Sequence, residues 1–313
     1  MKNLKLIILL ILLQQVCFGQ INNDIKIEKH LNYIDSIQNE TQIKDLMIKI
    51  DTNYRKFKVN SKMKFGNKIC QKTSDSLKIK PWVITDFDNN GFSDLLVIGE
   101  YYDHSIFCIL DKGNKNYELK RITRSSFQDC TFTLVVKNKN NSEINYFYRE
   151  ENNYGDLEKK QKLVMKTLIY KFGDFVEKNE NIENHNIEKI EYSTSGCFGT
   201  CPVFKINIDS DKSAKLNAEN FNKINNKNAN GKFKTKIDDK KYYEIIDLLN
   251  YLNFEKLKNN YSVNWTDDQT STLKVTYDNG ETKTIRDYGL IGTFGLNRIY
   301  KLLTELRENQ KWE

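Results

Sequence analysis

Past its first residues, this 313-residue chain has no apolar run approaching the roughly 20 residues that a membrane-spanning helix requires. Histidine is scarce. His30, His104 and His185 lie far apart and share no ligand spacing, which argues against a histidine-based zinc site. The sequence contains no Gly-x-Ser-x-Gly, no His-Glu-x-x-His and no phosphate-binding loop, so the best-marked hydrolase, metallopeptidase and nucleotide chemistries have no signature in it. Internal repeats are absent. Charge of one sign is lacking as well: 49 Lys and Arg face 42 Asp and Glu, a net of +7. The basic runs are mixed. Lys159-Lys160-Gln161-Lys162 follows Glu158, and Lys240-Lys241 follows Asp238-Asp239. Such runs read as solvated faces and not as a phosphate track, so nucleic acid is not an expected partner.

What is present begins with a leader. Lys2 and Lys5 precede an apolar run over residues 6–13; Gln14 and Gln15 follow, and then Cys17-Phe18-Gly19 ahead of Gln20. This order of charged, apolar and small-residue segments is that of a secretory signal peptide. The expectation is a signal peptide over 1–19, cleavage before Gln20, no transmembrane segment, and an exported chain that is periplasmic or extracellular. A lipoprotein anchor on Cys17 is the less favoured alternative, because bulky Val16 precedes that cysteine. Five cysteines remain after cleavage: Cys70, Cys108, Cys130, Cys197 and Cys201. An oxidising compartment pairs such residues, and an odd number leaves one over.

A mature length of about 290 residues suits two domains. The polar stretch 177–186 (EKNENIENHN) separates 20–176 from 187–313. Two apolar faces at helical spacing open the first domain: Ile25, Ile27, Leu31, Ile34 and Ile37, and then Ile43, Leu46, Met47 and Ile50, with Asn39 as stop and restart between them. Strand-like runs follow at 82–84, 95–98, 106–110, 132–136 and 162–165. In the second domain strands are expected at 187–193, 203–208, 233–237, 272–277 and 282–287. Asp238 and Asp239 open a helix to 252, and a last helix covers 296–307. Asp278-Asn279-Gly280 joins the last two strands, because Asn-Gly accepts positive φ. The fold class is therefore α+β: a helical segment with an antiparallel β-rich domain, then an α+β domain of two helices on a small antiparallel sheet.

The most chemically specific stretch of the first domain is the acidic loop 86–94. Asp86, Asp88, Asn90 and Asp94 place oxygen side chains at positions 1, 3, 5 and 9; Gly91 permits a sharp turn, and the Phe92 carbonyl adds a further oxygen. Calcium is the expected cofactor. Between its strand-like flanks the loop resembles those of FG-GAP and VCBS-type β repeats, although one copy does not imply a propeller. An ion-free turn, with Asx side chains bonded to the backbone, is the competing reading. An ion held almost wholly by protein oxygens braces a turn and leaves little coordination open for substrate.

The second domain carries Ser195-Gly196-Cys197-Phe198-Gly199-Thr200-Cys201-Pro202-Val203-Phe204. Two thiols four residues apart in a glycine-containing loop can reach disulfide distance. Three readings compete: a structural bridge, which export favours; a redox pair, against which the spacing argues; and a metal pair short of two ligands. Cys108 with Cys130, on strands taken to be neighbours, is the expected second bridge. This domain resembles the bacterial domain of unknown function 6438 (DUF6438), through the cysteine run, Thr270-Ser271-Thr272-Leu273 and Ile285-Arg286-Asp287-Tyr288. The resemblance implies a compact α+β domain in exported bacterial proteins and carries no activity. Asp209-Ser210-Asp211-Lys212 departs from the Asp-Gly turn of that pattern, which puts the local hairpin in question.

Trp265, Asp267, Asp268, Arg286, Asp287 and Tyr288 form a possible groove, with paired carboxylates suited to acid–base work. An exposed loop with an ordinary ion pair is the plainer alternative. The favoured function is a non-catalytic binding or scaffolding role toward a protein, glycan or small molecule. A secreted hydrolase using those carboxylates and a periplasmic thiol protein are the alternatives.

Overall fold

The computed structural model describes residues 29–124, 130–138, 141–149 and 162–313. The leader, Ile25 and Ile27, and most of the lysine run at 159–162 lie outside the described residues. No helix among the described residues is long and apolar enough to cross a membrane.

Helix α1, Glu40–Ile50, forms where the second apolar face predicts it and buries Ile43, Leu46 and Met47. Asn39 caps it by accepting from the Gln42 amide, while the Gln42 side chain accepts from the Gln38 amide. The first periodicity does not become a helix in its described part. Only a 3-10 turn, Ile34–Ser36, appears there, and Leu31 is 84% exposed. Asn32 and Asp35 exchange side-chain bonds with each other's backbone amides, a local alternative to helical bonding.

Five strands build the first sheet: β1 Lys58–Val59, β2 Trp82–Thr85, β3 Asp94–Tyr101, β4 Asp103–Asp111 and β5 Tyr117–Arg121. One of its faces, with Leu95, Val97, Phe107 and Ile109, packs on α1 and Phe57. The other, with Leu96, Ile98, Ile106, Cys108 and Leu110, packs toward a second sheet that supplies Phe132, Ile144, Tyr146, Leu168 and Phe175. Burial on both faces explains why β3 and β4 read as unbroken apolar runs. The second sheet runs β6 Phe132–Lys137, β7 Ser142–Arg149, β8 Leu163–Lys171 and β9 Asp174–Glu177, each antiparallel to the next. Helix α2, Lys68–Ser76, capped by Asn67, was not expected from the sequence.

The expected Cys108–Cys130 bridge is corrected. Cys130 bonds Cys70, on α2, and Cys108 is a buried free thiol. Cys108 lies on β4 opposite Leu96 of β3 and Lys120 of β5, whereas Cys130 leads into β6 of the other sheet. The two strands are not neighbours.

From Ile187 onward the chain builds one seven-stranded sheet in the order β15-β12-β11-β10-β17-β18-β16. Its strands are β10 Ile187–Thr194, β11 Val203–Asp209, β12 Ser213–Asn220, β15 Gly231–Lys236, β16 Asn260–Ser262, β17 Thr270–Tyr277 and β18 Glu281–Tyr288. A small hairpin of β13 Lys223–Ile224 and β14 Lys227–Asn228 interrupts the run. Helices α3, Asp239–Tyr251, and α4, Phe294–Asn309, share one core with the sheet's inward residues, among them Tyr192, Phe204, Leu216, Leu273 and Ile285. As expected, Asp238 caps α3, accepting from the Lys240 and Lys241 amides. The sheet is larger than expected and not purely antiparallel, since β16 pairs parallel with β18. Strand β12 escaped notice because its inward side chains are Ala214, Leu216 and Ala218, two of them too small to mark an apolar alternation. The hairpin at 209–212 forms without glycine: Lys212 takes positive φ and donates its amide to the Asp209 carbonyl.

The polar stretch 177–186 is tied down along its length. Glu177 accepts from the Phe294 and Gly295 amides at the start of α4. Asn179 bonds Tyr251, and the Glu183 and His185 amides donate to Asn253 and Asn250 at the end of α3.

Candidate functional site

The acidic loop is the turn between β2 and β3, closed by the Thr85–Asp94 pair. Its left-handed positions fall on Asn89 and Gly91. Asp86 folds back to accept from the Asn90 and Gly91 amides, at 3.3 and 2.9 Å. Asp94 is fully buried and accepts from the Phe87 amide at 2.7 Å and the Asp111 amide at 2.9 Å. Carboxylate oxygens of Asp86, Asp88 and Asp94 come within 4.8 Å of one another. The Asp88 side chain is only 5% exposed; one oxygen meets Lys112 Nζ at 2.5 Å, and the other, Oδ1, is buried with no hydrogen-bond partner.

The electrostatics follow from this crowding. Burial, and then the charges of Asp88 and Asp86, raise the Asp94 pKa to about 7 despite its two amide donors. Asp86 is raised too, first by burial. Burial works against the Lys112 ammonium, but the bonds it donates to Asp88 and Tyr170 prevail and hold it charged. At an effective dielectric near 20, two like charges 4 Å apart repel by about 4 kcal/mol. Three carboxylates with one ammonium therefore leave uncompensated repulsion, which a proton on Asp94 or a bound cation relieves.

Of the five expected ligands, Asp86, Asp88 and Asp94 converge. Asn90 is engaged otherwise: its carbonyl accepts from the Phe92 amide, and its amide donates to the Asp111 carbonyl. Phe92 bridges to His30 through the backbone, and their rings lie 5.0 Å apart. Sequence reading missed the groups that hold the loop from outside. Asn32 donates to the Ser93 carbonyl and to Asp111, and Asp35 accepts from the Ser93 hydroxyl. Those contacts span about 60 to 80 residues of sequence, and no local pattern signals them.

The cysteine loop joins β10 to β11. Cys197 and Cys201 are bonded, with Cα atoms 5.7 Å apart. The Gln269 amide clamps the base of the loop, donating to the Ser195 and Pro202 carbonyls at 2.9 Å each. Thr194 donates its hydroxyl to the Pro202 carbonyl, and the Phe198 amide bonds the Asp267 carbonyl. Phe198 itself is 91% exposed. Beside the loop, Thr200, Asn220, Phe221, Asn222 and Lys223 line a shallow cavity of about 580 Å³.

The possible groove is brought together only in part. Trp265 donates its indole N–H to Asp268, whose amide donates to the Tyr288 hydroxyl. Asp267 is exposed beside them. Along β18 the side chains alternate, so Arg286 faces solvent while Asp287 is buried on the other face. Asp287 accepts from the Ile291 and Gly292 amides and so shapes the turn into α4. Burial raises its pKa against these donors and the nearby Arg124. Of the three carboxylates of the possible groove, Asp267 is exposed, Asp268 is half-buried and Asp287 is buried beneath the sheet.

Residues 188–307 match the family described as Domain of unknown function (DUF6438). The match takes in the cysteine loop and most of the seven-stranded sheet with α3 and α4, and leaves the acidic loop outside. No curated protein and no solved structure matches the chain.

Proposed function

We propose that this is an exported, non-catalytic binding protein whose acidic loop is braced by calcium and whose cysteine loop presents Phe198 to a partner. The observation that carries the binding role is Phe198: an aromatic ring held almost fully in solvent on a loop closed by a disulfide and clamped at its base by Gln269. A pre-ordered aromatic meets a partner without the ordering entropy that a free loop loses on binding. The opposed faces of Arg286 and Asp287, and the shallow cavity beside the loop, favour binding over acid–base catalysis. A ligand of the cysteine loop would be a protein, glycan or small molecule offering an apolar surface.

Calcium bracing is supported by the convergence of Asp86, Asp88 and Asp94 and by the buried, unbonded Asp88 Oδ1. All three ligands are hard oxygens, which suits calcium over softer ions. Isothermal titration of calcium into chelator-treated protein tests this part: the wild type takes up heat-releasing calcium and Asp88→Asn binds at least tenfold more weakly, whereas equal binding contradicts it. For the binding role, Phe198→Ala is compared with wild type for capture of partners from a cell-envelope extract. A species retained by wild type and lost by the variant supports the reading; identical profiles contradict it.

A further inference from the structure

The strap 177–186 brings two chemically active side chains, Glu183 and His185, against the end of α3. There they meet Glu255, in the 3-10 turn Phe254–Lys256, and Asp278, at the tip of the β17–β18 hairpin. Asn253, at φ +47°, starts that turn, and Lys283 fixes it by donating to the Glu255 and Leu257 carbonyls. The imidazole is oriented from three sides. Tyr277 and Phe254 meet it edge-on, at 5.0 and 5.6 Å, and Asp278 Oδ2 lies 2.5 Å from Nδ1. Asp278 is itself held, since its other oxygen accepts from the Asn186 amide at 2.7 Å.

With Nδ1 committed to Asp278, Nε2 is the ring nitrogen left facing Glu255. Nε2 and Glu255 Oε2 stand 3.4 Å apart. Neither makes a hydrogen bond, nor does Glu255 Oε1, and all three atoms are buried. Glu183 completes the group, with one ligand atom from each of the three side chains lying within 4.8 Å of the others. Two ligands bound at 2.0–2.1 Å to one tetrahedral ion stand about 3.4 Å apart, which is the spacing that Nε2 and Oε2 already have.

The geometry points to a site for a zinc-class divalent ion, held by His185 Nε2, Glu255 and Glu183, with Asp278 as the carboxylate that orients the histidine. A mixed nitrogen and oxygen set suits zinc, cobalt or nickel better than calcium or magnesium. A carboxylate behind the ligating histidine fixes its tautomer and raises its basicity. The Lys256 ammonium, paired with Glu183 and 4.0 Å from Glu255, stands as the competing cation; its side chain is exposed and free to swing away when an ion enters. This site is separate from the acidic loop and differs from it in donor chemistry.

The test uses the full chain, treated with chelator and then kept in excess calcium so that any oxygen-only site is filled. Zinc alone is titrated by calorimetry, and cobalt is followed by visible absorption, which reports tetrahedral nitrogen and oxygen ligation. Wild type takes up about one equivalent of zinc. His185→Gln and Glu255→Gln each weaken it at least tenfold, and Asp278→Asn weakens it about 10- to 100-fold. Lys256→Ala removes the competitor and tightens binding severalfold. Absence of zinc uptake by wild type overturns the assignment, as does equal uptake by His185→Gln, which would leave a protonated imidazole as the bridge between the carboxylates. Should the core variants fail to fold, unchanged affinity in both Asp278→Asn and the exposed Lys256→Ala overturns it instead.

Discussion

The two disulfides set the first and last parts of the molecule apart. Cys70–Cys130 spans 60 residues and joins α2 to the entry of β6 inside one of the two modest cores of the first part. Cys197–Cys201 spans four residues on a surface loop of a unit whose core is one continuous sheet-and-helix layer. The first crosslink restrains the unfolded chain; the second shapes a loop. Where a core is divided, covalent closure adds to stability. Where it is continuous, closure fixes only the shape of a surface loop.

Breaking this contrast gives the largest expected effect. Loop-closure entropy assigns the Cys70–Cys130 bridge about 4 kcal/mol and the Cys197–Cys201 bridge about 2 kcal/mol. Urea unfolding of Cys70→Ala/Cys130→Ala and of Cys197→Ala/Cys201→Ala should show losses in that order. Equal losses, or the reverse, would remove the distinction.

A smaller effect is expected from pH, through Asp287. Its folded pKa is raised above the unfolded value, so its stabilising contribution is full below the unfolded pKa near 4 and declines as pH rises through the folded value. The stability of wild type relative to Asp287→Asn should therefore fall as pH rises from about 4, as read by urea midpoints across a pH series. A difference that grows with pH would mean that this carboxylate is held charged. The smallest effect is expected at Phe198. Truncation to Ala should change stability by no more than about 0.5 kcal/mol, because the ring contributes almost no burial. A larger loss on urea unfolding would mean that the ring braces the domain and does not face a partner.

Much of the last unit was legible because its signals are local. Asp238 caps α3, and the Asp278-Asn279-Gly280 turn takes positive φ at all three residues. Strands β3 and β4 announced themselves through apolar runs, and Asn39 through its cap. What escaped was set by long-range packing. The Cys70 pairing needed a helix whose buried positions are Cys70 and Ser74, not an apolar stripe. Lys112 and Asn32 reach the acidic loop only once the sheet has formed. The stretch 177–186 looked like a bare polar divider because its bonds run through asparagine side chains to α3, and hydrophobic periodicity does not register such contacts. The His185 cluster is hidden for the same reason: Glu183 is close in sequence, but Glu255 and Asp278 are about 70 and 90 residues distant.

The calcium-braced loop is the part of the functional account most directly open to measurement. Thermal and urea unfolding in saturating calcium and in chelator would decide it, since a ligand of the native state at 100 times its dissociation constant stabilises by about 2.7 kcal/mol. The account predicts a clear upward shift in calcium that disappears in Asp88→Asn. An unchanged midpoint in wild type, with the three carboxylates served by Lys112 and a proton on Asp94, would contradict it.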